Sequence, residues 1–195
     1  ATIHSCIHVE KNSIIKTYNI SNAFLEEANR IVTRSNINFI YDRKTSRGEI
    51  IDSNVIDKGQ IIHHLYYDNE PKSEHYDFFK TVLNELNIPV KQKLRMKINV
   101  TFPLVGYREH NHQMCHQDIN NPEQRPELNF KSLIVYINES DGDTMFFKND
   151  KIIKRINYER GKAILFNSEQ THAGQNPIKN NLRIVLNTIF VSGEE

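Results

Sequence analysis

Residues 94–102 read LRMKINVTF. Leu94, Met96, Ile98, Val100 and Phe102 alternate with polar neighbours, so an extended chain here has one apolar face and one polar face. Upstream, the apolar period is that of a helix. In SNAFLEEANRIVTRSN, which begins at Ser21, the residues Phe24, Leu25, Ala28, Ile31 and Val32 share one face, with Ser21 placed to cap the first turn. In YDFFKTVLNELN, residues 76–87, the stripe is Phe78, Phe79, Val82, Leu83 and Leu86, and Pro89 lies past its end. Both stripes predict packing helices. Downstream, strand-type runs follow one another: SLIVYIN (132–138), TMFF (144–147), KIIKRI (151–156), KAILF (162–166) and LRIVLNTIFV (182–191). Turn residues separate them at 140–143, 148–150, 160–161 and 179–181. Helices first and many short antiparallel strands second predict an α+β chain, mainly β, whose N-terminal helices back a sandwich or barrel of the jelly-roll kind.

A length of 195 residues with 38% hydrophobic content suits one domain with a substantial core, spanning 1–195. Helical support is expected over about 1–92 and a β core over about 93–193. The formal charge of +1 excludes an overall field that would attract nucleic acid. A local basic run, KQKLRMK at 91–97, alternates with apolar residues and reads as the solvent face of a strand. Cys6 and Cys115 lie far apart with no apolar leader before them, which predicts reduced thiols and a cytoplasmic location. No apolar run approaches the length needed to cross a bilayer, so no membrane partner is expected.

The richest stretch chemically is HNHQMCHQD, residues 110–118. On extended chain, side chains two residues apart share a face, so His116 and Asp118 point the same way and Cys115 points the other. His110 and His112 also share a face but offer only nitrogen, and they read as loop histidines beside a site. His63, His64 and His75 carry no partner pattern and receive no role. Two ligands hold a metal weakly, and the candidate third is His172 in NSEQTHAGQNP. Two imidazoles and one carboxylate make the facial triad of non-haem Fe(II) oxygenases, which leaves three positions open for a chelating co-substrate and O2. Structural zinc sites prefer closed, cysteine-rich sets. Arg183, near the start of a strongly apolar strand, needs a carboxylate if it is buried. The far carboxylate of 2-oxoglutarate would satisfy it through a bidentate pair.

These elements, taken in order, resemble the 2-oxoglutarate/Fe(II)-dependent dioxygenases, and among them the prolyl 4-hydroxylase-like group. The resemblance is carried by His-x-Asp at 116–118, YIN at 136–138, DGDTMFF at 141–147, RGKAILF at 160–166, THAG at 171–174 and LRIVLNTIFV at 182–191. It implies a double-stranded β-helix of cupin-like form, with Fe(II) on His116, Asp118 and His172 and with Arg183 anchoring 2-oxoglutarate. It further implies that Tyr136 holds the same carboxylate and that Asn99 and Thr101 touch the iron-binding end of the co-substrate. O2 is the oxidant, with ascorbate as an accessory. The implied reaction hydroxylates an unactivated C–H bond while 2-oxoglutarate is decarboxylated to succinate. The implied substrate is a prolyl residue of a peptide or protein. A free amino acid or other small molecule is the alternative substrate, and a non-catalytic cupin-like module that binds metal and 2-oxoglutarate is the alternative function.

The chain departs from the family pattern in two places. The Gly-Gly pair of the turn is Asp141-Gly142, so positive φ angles fall to one glycine and an aspartate. The residue two after the arginine is Val185 where other branches have serine, which favours the Tyr136 type of anchor. The polar segment 119–131 is longer than a tight hairpin needs and is a candidate substrate lid.

Overall fold

The computed structural model describes residues 14–44, 53–119, 124–125 and 127–193. Cys6 and residues 120–123 and 126 of the expected lid lie outside the described residues. In chain order the elements are β1 (Lys16–Asn19), α1 (Asn22–Arg34), β2 (Ile40–Asp42), β3 (Gln60–Tyr67), β4 (Glu70–Pro71), α2 (Tyr76–Phe79) and α3 (Thr81–Glu85). They continue with β5 (Val90–Thr101), β6 (Phe130–Tyr136), β7 (Thr144–Lys148), β8 (Lys151–Ile156), β9 (Lys162–Asn167), β10 (His172–Gly174) and β11 (Arg183–Ser192).

The strands form two antiparallel sheets. The large one has the order β1-β9-β6-β11-β5-β3-β2, with β4 paired to β3, and the small one has the order β10-β7-β8. Facing sheets of this kind make the double-stranded β-helix. Side-chain parity gives the large sheet two different faces. Met96, Ile98 and Val100 of β5, Leu133 and Val135 of β6, and Ile184, Leu186 and Phe190 of β11 join one apolar cluster. Helix α1 covers that cluster with Phe24, Leu25, Ala28, Ile31 and Val32, all buried. The hydroxyl of Ser21 accepts from the Phe24 N–H at 3.3 Å, as the cap pattern predicts. Phe24 stacks on Phe78 at 4.9 Å, which packs α1 against α2.

Three expectations need correction. The N-terminal part is less helical than its stripes suggest, because it supplies β1 to β4, and β3 is an inner strand of the large sheet. Residues 76–87 do not form one helix. The Thr81 hydroxyl donates to the Phe78 carbonyl at 2.6 Å, competing for the backbone ladder, and the segment splits at Lys80 into two short turns of helix. Phe102 lies beyond the end of β5 and is 43% exposed, so its place in the alternation does not put it in the core.

The turns follow their local chemistry. Asn149 and Asp150 both take positive φ, 48° and 60°, which closes the β7–β8 hairpin with the favoured twist. Gly142 has φ 100° while Asp141 is not among the positive-φ residues, so one glycine suffices. Asp141 instead accepts from the backbone N–H groups of Ile178, Lys179 and Asn180 at 2.9–3.1 Å, tying down the loop before β11. Leu186 is fully buried in the middle of β11. Leu186→Ala is expected to cost about 2–5 kcal/mol, read as a lower urea midpoint at unchanged m-value.

Candidate metal centre

The polar face of the large sheet is turned toward the small sheet, and the two enclose a pocket. His116 sits in an isolated antiparallel bridge with His172, the first residue of β10. The His116 N–H donates to the His172 carbonyl at 3.0 Å, and the return bond is 2.9 Å. Two residues separated by most of the β core are thereby held side by side. Asp118 is placed by its own N–H, which donates to the Ser168 carbonyl at 2.9 Å.

One donor atom from each of His116, Asp118 and His172 lies within 4.8 Å of the other two. His116 Nε2 is 3.7 Å from Asp118 Oδ1, and His172 Nε2 is 3.9 Å from Asp118 Oδ2. Each imidazole directs Nδ1 at a main-chain carbonyl, His116 at Met114 (3.3 Å) and His172 at Gln170 (2.9 Å). A carbonyl can only accept, so Nδ1 carries the proton and the Nε2 lone pairs face the carboxylate. Ser132 donates its hydroxyl to Asp118 Oδ2 at 2.6 Å and shares a 2.8 Å bond with Ser168, while Arg95 reaches Asp118 Oδ1 at 3.4 Å.

The protonation states suit ligation. Burial first, and the neighbouring His172 next, lower the His116 imidazole to about 3 and keep it neutral. Burial pushes the Asp118 carboxyl up, but the combined pull of His172, His116, Arg95 and the Ser132 hydroxyl outweighs it, and the group settles at about 2.

Arg183 lies at the deep end of the pocket. Its Nε donates to the Gly142 carbonyl at 2.7 Å and its NH2 to Thr144 Oγ1 at 3.4 Å. Among the described residues no carboxylate pairs with it. Tyr136, wholly buried, donates to the same Thr144 hydroxyl at 2.6 Å, and its ring lies 5.7 Å from the guanidinium carbon. Burial raises the Tyr136 phenol to about 12, so it stays protonated. Thr101 pairs with Arg183 in register, and Asn99 lines the pocket two residues along β5. Asn99 Oδ1 and Thr101 Oγ1 are buried without a partner among the described residues. A Cβ at Gly142 would sit 2.7 Å from the Gln175 carbonyl oxygen and 3.0 Å from Arg183 Cδ, so this turn tolerates no side chain.

The other residues of 110–118 fall outside the donor set. His110 is exposed. His112 is buried, with Nδ1 donating to the Gln113 carbonyl at 2.8 Å, and Cys115 packs with Met145, Phe147 and Ala173. The reading of KQKLRMK as a solvent face is overturned, since Arg95 and Lys97 line the pocket and Lys97 is only 9% exposed. The physical reason is that the polar face of β5 is covered by a second sheet and not by water. Gln60, Ser132 and Asn187 also line or support the site without any signal in their local sequence.

No protein-family model and no curated protein matches the sequence. Solved structures do. A prolyl-4-hydroxylase from Pseudomonas putida superposes with TM-score 0.55 at 13% identity, over 94% of this chain and 95% of that one. A prolyl hydroxylase from Trichoplax adhaerens, in complex with a hypoxia inducible factor oxygen degradation domain peptide fragment, gives TM-score 0.58 at 13% identity, over 92% and 84%. An oxidoreductase of the 2OG-Fe(II) oxygenase family from Burkholderia pseudomallei gives 0.57 at 12%, over 86% and 78%. At these identities the likeness shows the fold, which is that of the 2OG-Fe(II) oxygenases.

A half-buried neutral imidazole makes the metal-free protein sensitive to acid. Because the folded His116 lies below its ordinary 6.5, its contribution to stability is full above that pH and is lost as pH falls toward 3. Urea titrations at pH 7 and pH 5 should show lower stability at pH 5, with a smaller difference in His116→Gln.

Proposed function

We propose that this chain is an Fe(II)- and 2-oxoglutarate-dependent dioxygenase that hydroxylates an unactivated C–H bond, the target being a prolyl residue of a peptide or protein. One observation carries the proposal: a His-Asp-His donor set shares a pocket with a buried arginine that has no carboxylate partner among the described residues. The fold likeness to prolyl hydroxylases supports the target.

The residues present fit both groups. Two neutral imidazoles and a carboxylate are the donors a non-haem iron takes, and no thiolate joins them. For 2-oxoglutarate, Nε of Arg183 is occupied by Gly142, leaving the NH1/NH2 fork for a carboxylate. A Cβ at Gly174 would stand 3.4 Å from both NH1 and NH2, so glycine there keeps the space before the fork open. An unpartnered buried guanidinium costs several kcal/mol, which a bidentate carboxylate would offset.

When bound, Fe(II) supplies the activation of O2 that couples decarboxylation of 2-oxoglutarate, to succinate and CO2, with insertion of oxygen into the C–H bond. The protein's own part is positioning. His116, Asp118 and His172 would hold the metal, and the polar space they share with the pocket would admit co-substrate and O2. Ser132 and the carbonyls of Met114 and Gln170 hold those ligands in orientation. Arg183 and the protonated Tyr136 hold the far carboxylate through the network they share at Thr144. Ile134 and Val185 line the pocket with apolar surface that excludes water from the reacting centre. Asn99 and Thr101 offer buried oxygens beside the co-substrate's path. Ascorbate is assigned as the accessory reductant and the cytoplasm as the location. Among the described residues no helix is long and apolar enough to cross a membrane.

Protein loaded with Fe(II) and 2-oxoglutarate without O2, then exposed to O2 with prolyl peptides, should form succinate, and Asp118→Ala should form none. Succinate no greater than that of Asp118→Ala under every condition would falsify the dioxygenase proposal. Arg183→Ala should weaken 2-oxoglutarate binding by about 100-fold or more while Fe(II) binding persists. Unchanged 2-oxoglutarate affinity refutes the anchor. Ser132→Ala should weaken metal binding by about 10–100-fold, measured by competition with a chelator, because Asp118 loses its shortest hydrogen bond.

A further inference from the structure

We infer that the substrate carries an anionic group, a carboxylate or a phosphate, which binds Arg95 and Lys97 at the outer end of the pocket. This rests on the dioxygenase reading and names the substrate class of the same site.

Register separates these two cations from the co-substrate anchor. On β5, Thr101 pairs with Arg183, Lys97 with Asn187 and Arg95 with Ile189. Lys97 is thus four residues and Arg95 six residues from the Arg183 row, about 13 and 20 Å along the strand. A five-carbon dicarboxylate spans roughly 5 Å between its ends, so one held by Arg183 cannot also occupy the outer cations. Arg95 at the outer end is partly exposed, whereas Arg183 is buried. A substrate entering from that end passes Arg95 beside the metal ligands.

The charges in the pocket do not balance without such a group. A divalent metal and a dianionic co-substrate cancel. Asp118 offsets one of the cations Arg95, Lys97 and Arg183, which leaves two uncompensated. Among the described residues Lys97 forms no ion pair and no hydrogen bond. The nearest carboxylate besides Asp118 with influence on it is Asp42, an exposed residue at the end of β2. Burial first, and the neighbouring Arg95 next, lower the Lys97 ammonium to about 8, with Asp118 and Asp42 opposing. His64, opposite Lys97 in register, is kept from protonating by burial first and by Lys97 and Arg95 next, and its Nδ1 is buried without a partner among the described residues.

Arg95 is only partly satisfied among the described residues. Its NH2 is shared between Asn187 Oδ1 at 3.3 Å and Asp118 Oδ1 at 3.4 Å, both long for charge-assisted bonds, and its Nε is buried with no partner. A guanidinium that served only to steady Asp118 would be expected closer to it. With a buried ammonium two residues along the same face, it makes a two-point anion receptor.

The test uses the protein loaded with Fe(II) and 2-oxoglutarate without O2, so that nothing turns over, and reads binding by calorimetry. The probes are matched pairs: N-acetylglutamate against N-acetylglutamine, N-acetyl-O-phosphoserine against N-acetylserine, and a blocked peptide with a central Glu against the same peptide with Gln. At least one anionic member should bind about tenfold tighter than its neutral counterpart, and whether it is the free acid or the peptide identifies the source. Arg95→Gln and Lys97→Gln should each bring that preference to within about twofold, with 2-oxoglutarate affinity kept in Lys97→Gln, and Lys97→Arg should retain the preference. Absence of any anion preference in the native chain overturns the inference, and so does a preference that survives both Gln variants. Loss of 2-oxoglutarate affinity in Lys97→Gln, with probe binding intact, overturns it too by giving that cation to the co-substrate. Failure of the native chain to bind 2-oxoglutarate in the loading step overturns the dioxygenase reading, and this inference with it, before any probe is added.

Discussion

The strand β11 is buried on both faces along its whole length, and the two faces meet opposite environments. Ile184, Leu186 and Phe190 enter the apolar cluster under the helices, whereas Arg183, Val185 and Asn187 line the pocket. Such a strand cannot lie at an edge or under water. It needs partners on both sides, which β5 and β6 supply, a helical layer on one face and a second sheet on the other. Burying a guanidinium and an amide on the second face is tolerable only if that face surrounds polar space. The pocket is therefore a consequence of how the central strand is built.

The His116–His172 bridge closes the arrangement. It adds two backbone hydrogen bonds between segments that belong to neither flank of β11, and it brings the first residue of β10 against the chain leaving the 102–115 loop. The same bonds that fix backbone position also fix ligand position, so metal affinity and local stability are coupled at this point. Gly142 serves similarly at the other end, since its carbonyl holds Arg183 and its missing side chain lets the turn approach.

Charge is distributed in a way that the total conceals. The chain is nearly neutral at +1, yet Arg95, Lys97 and Arg183 face one pocket with Asp118 the only carboxylate lining it among the described residues. A low overall field removes attraction for polyanions, while a concentrated internal one favours small anions and anionic side chains. The dielectric is lower inside, so the local arrangement outweighs the sum.

Much of this was legible in sequence. The apolar stripe of α1, the alternation at 94–100, the turn at Asn149-Asp150 and the shared face of His116 and Asp118 all depend on neighbours within a few residues, where periodicity and side-chain preference act directly. Strands β1 and β2 are short, and β3 breaks its alternation with an irregularity between His64 and Tyr66, so neither carries a readable period. The split at Lys80 came from one hydroxyl competing for one carbonyl. The polar half of LRMKINVTF is the sharpest case. Sequence by itself determined that Arg95, Lys97, Asn99 and Thr101 lie on one face and Met96, Ile98 and Val100 on the other. Only the tertiary structure decided that the polar face looks into a pocket between two sheets rather than into bulk water. Alternation is local geometry, but what covers a face depends on contacts with strands far away in the chain.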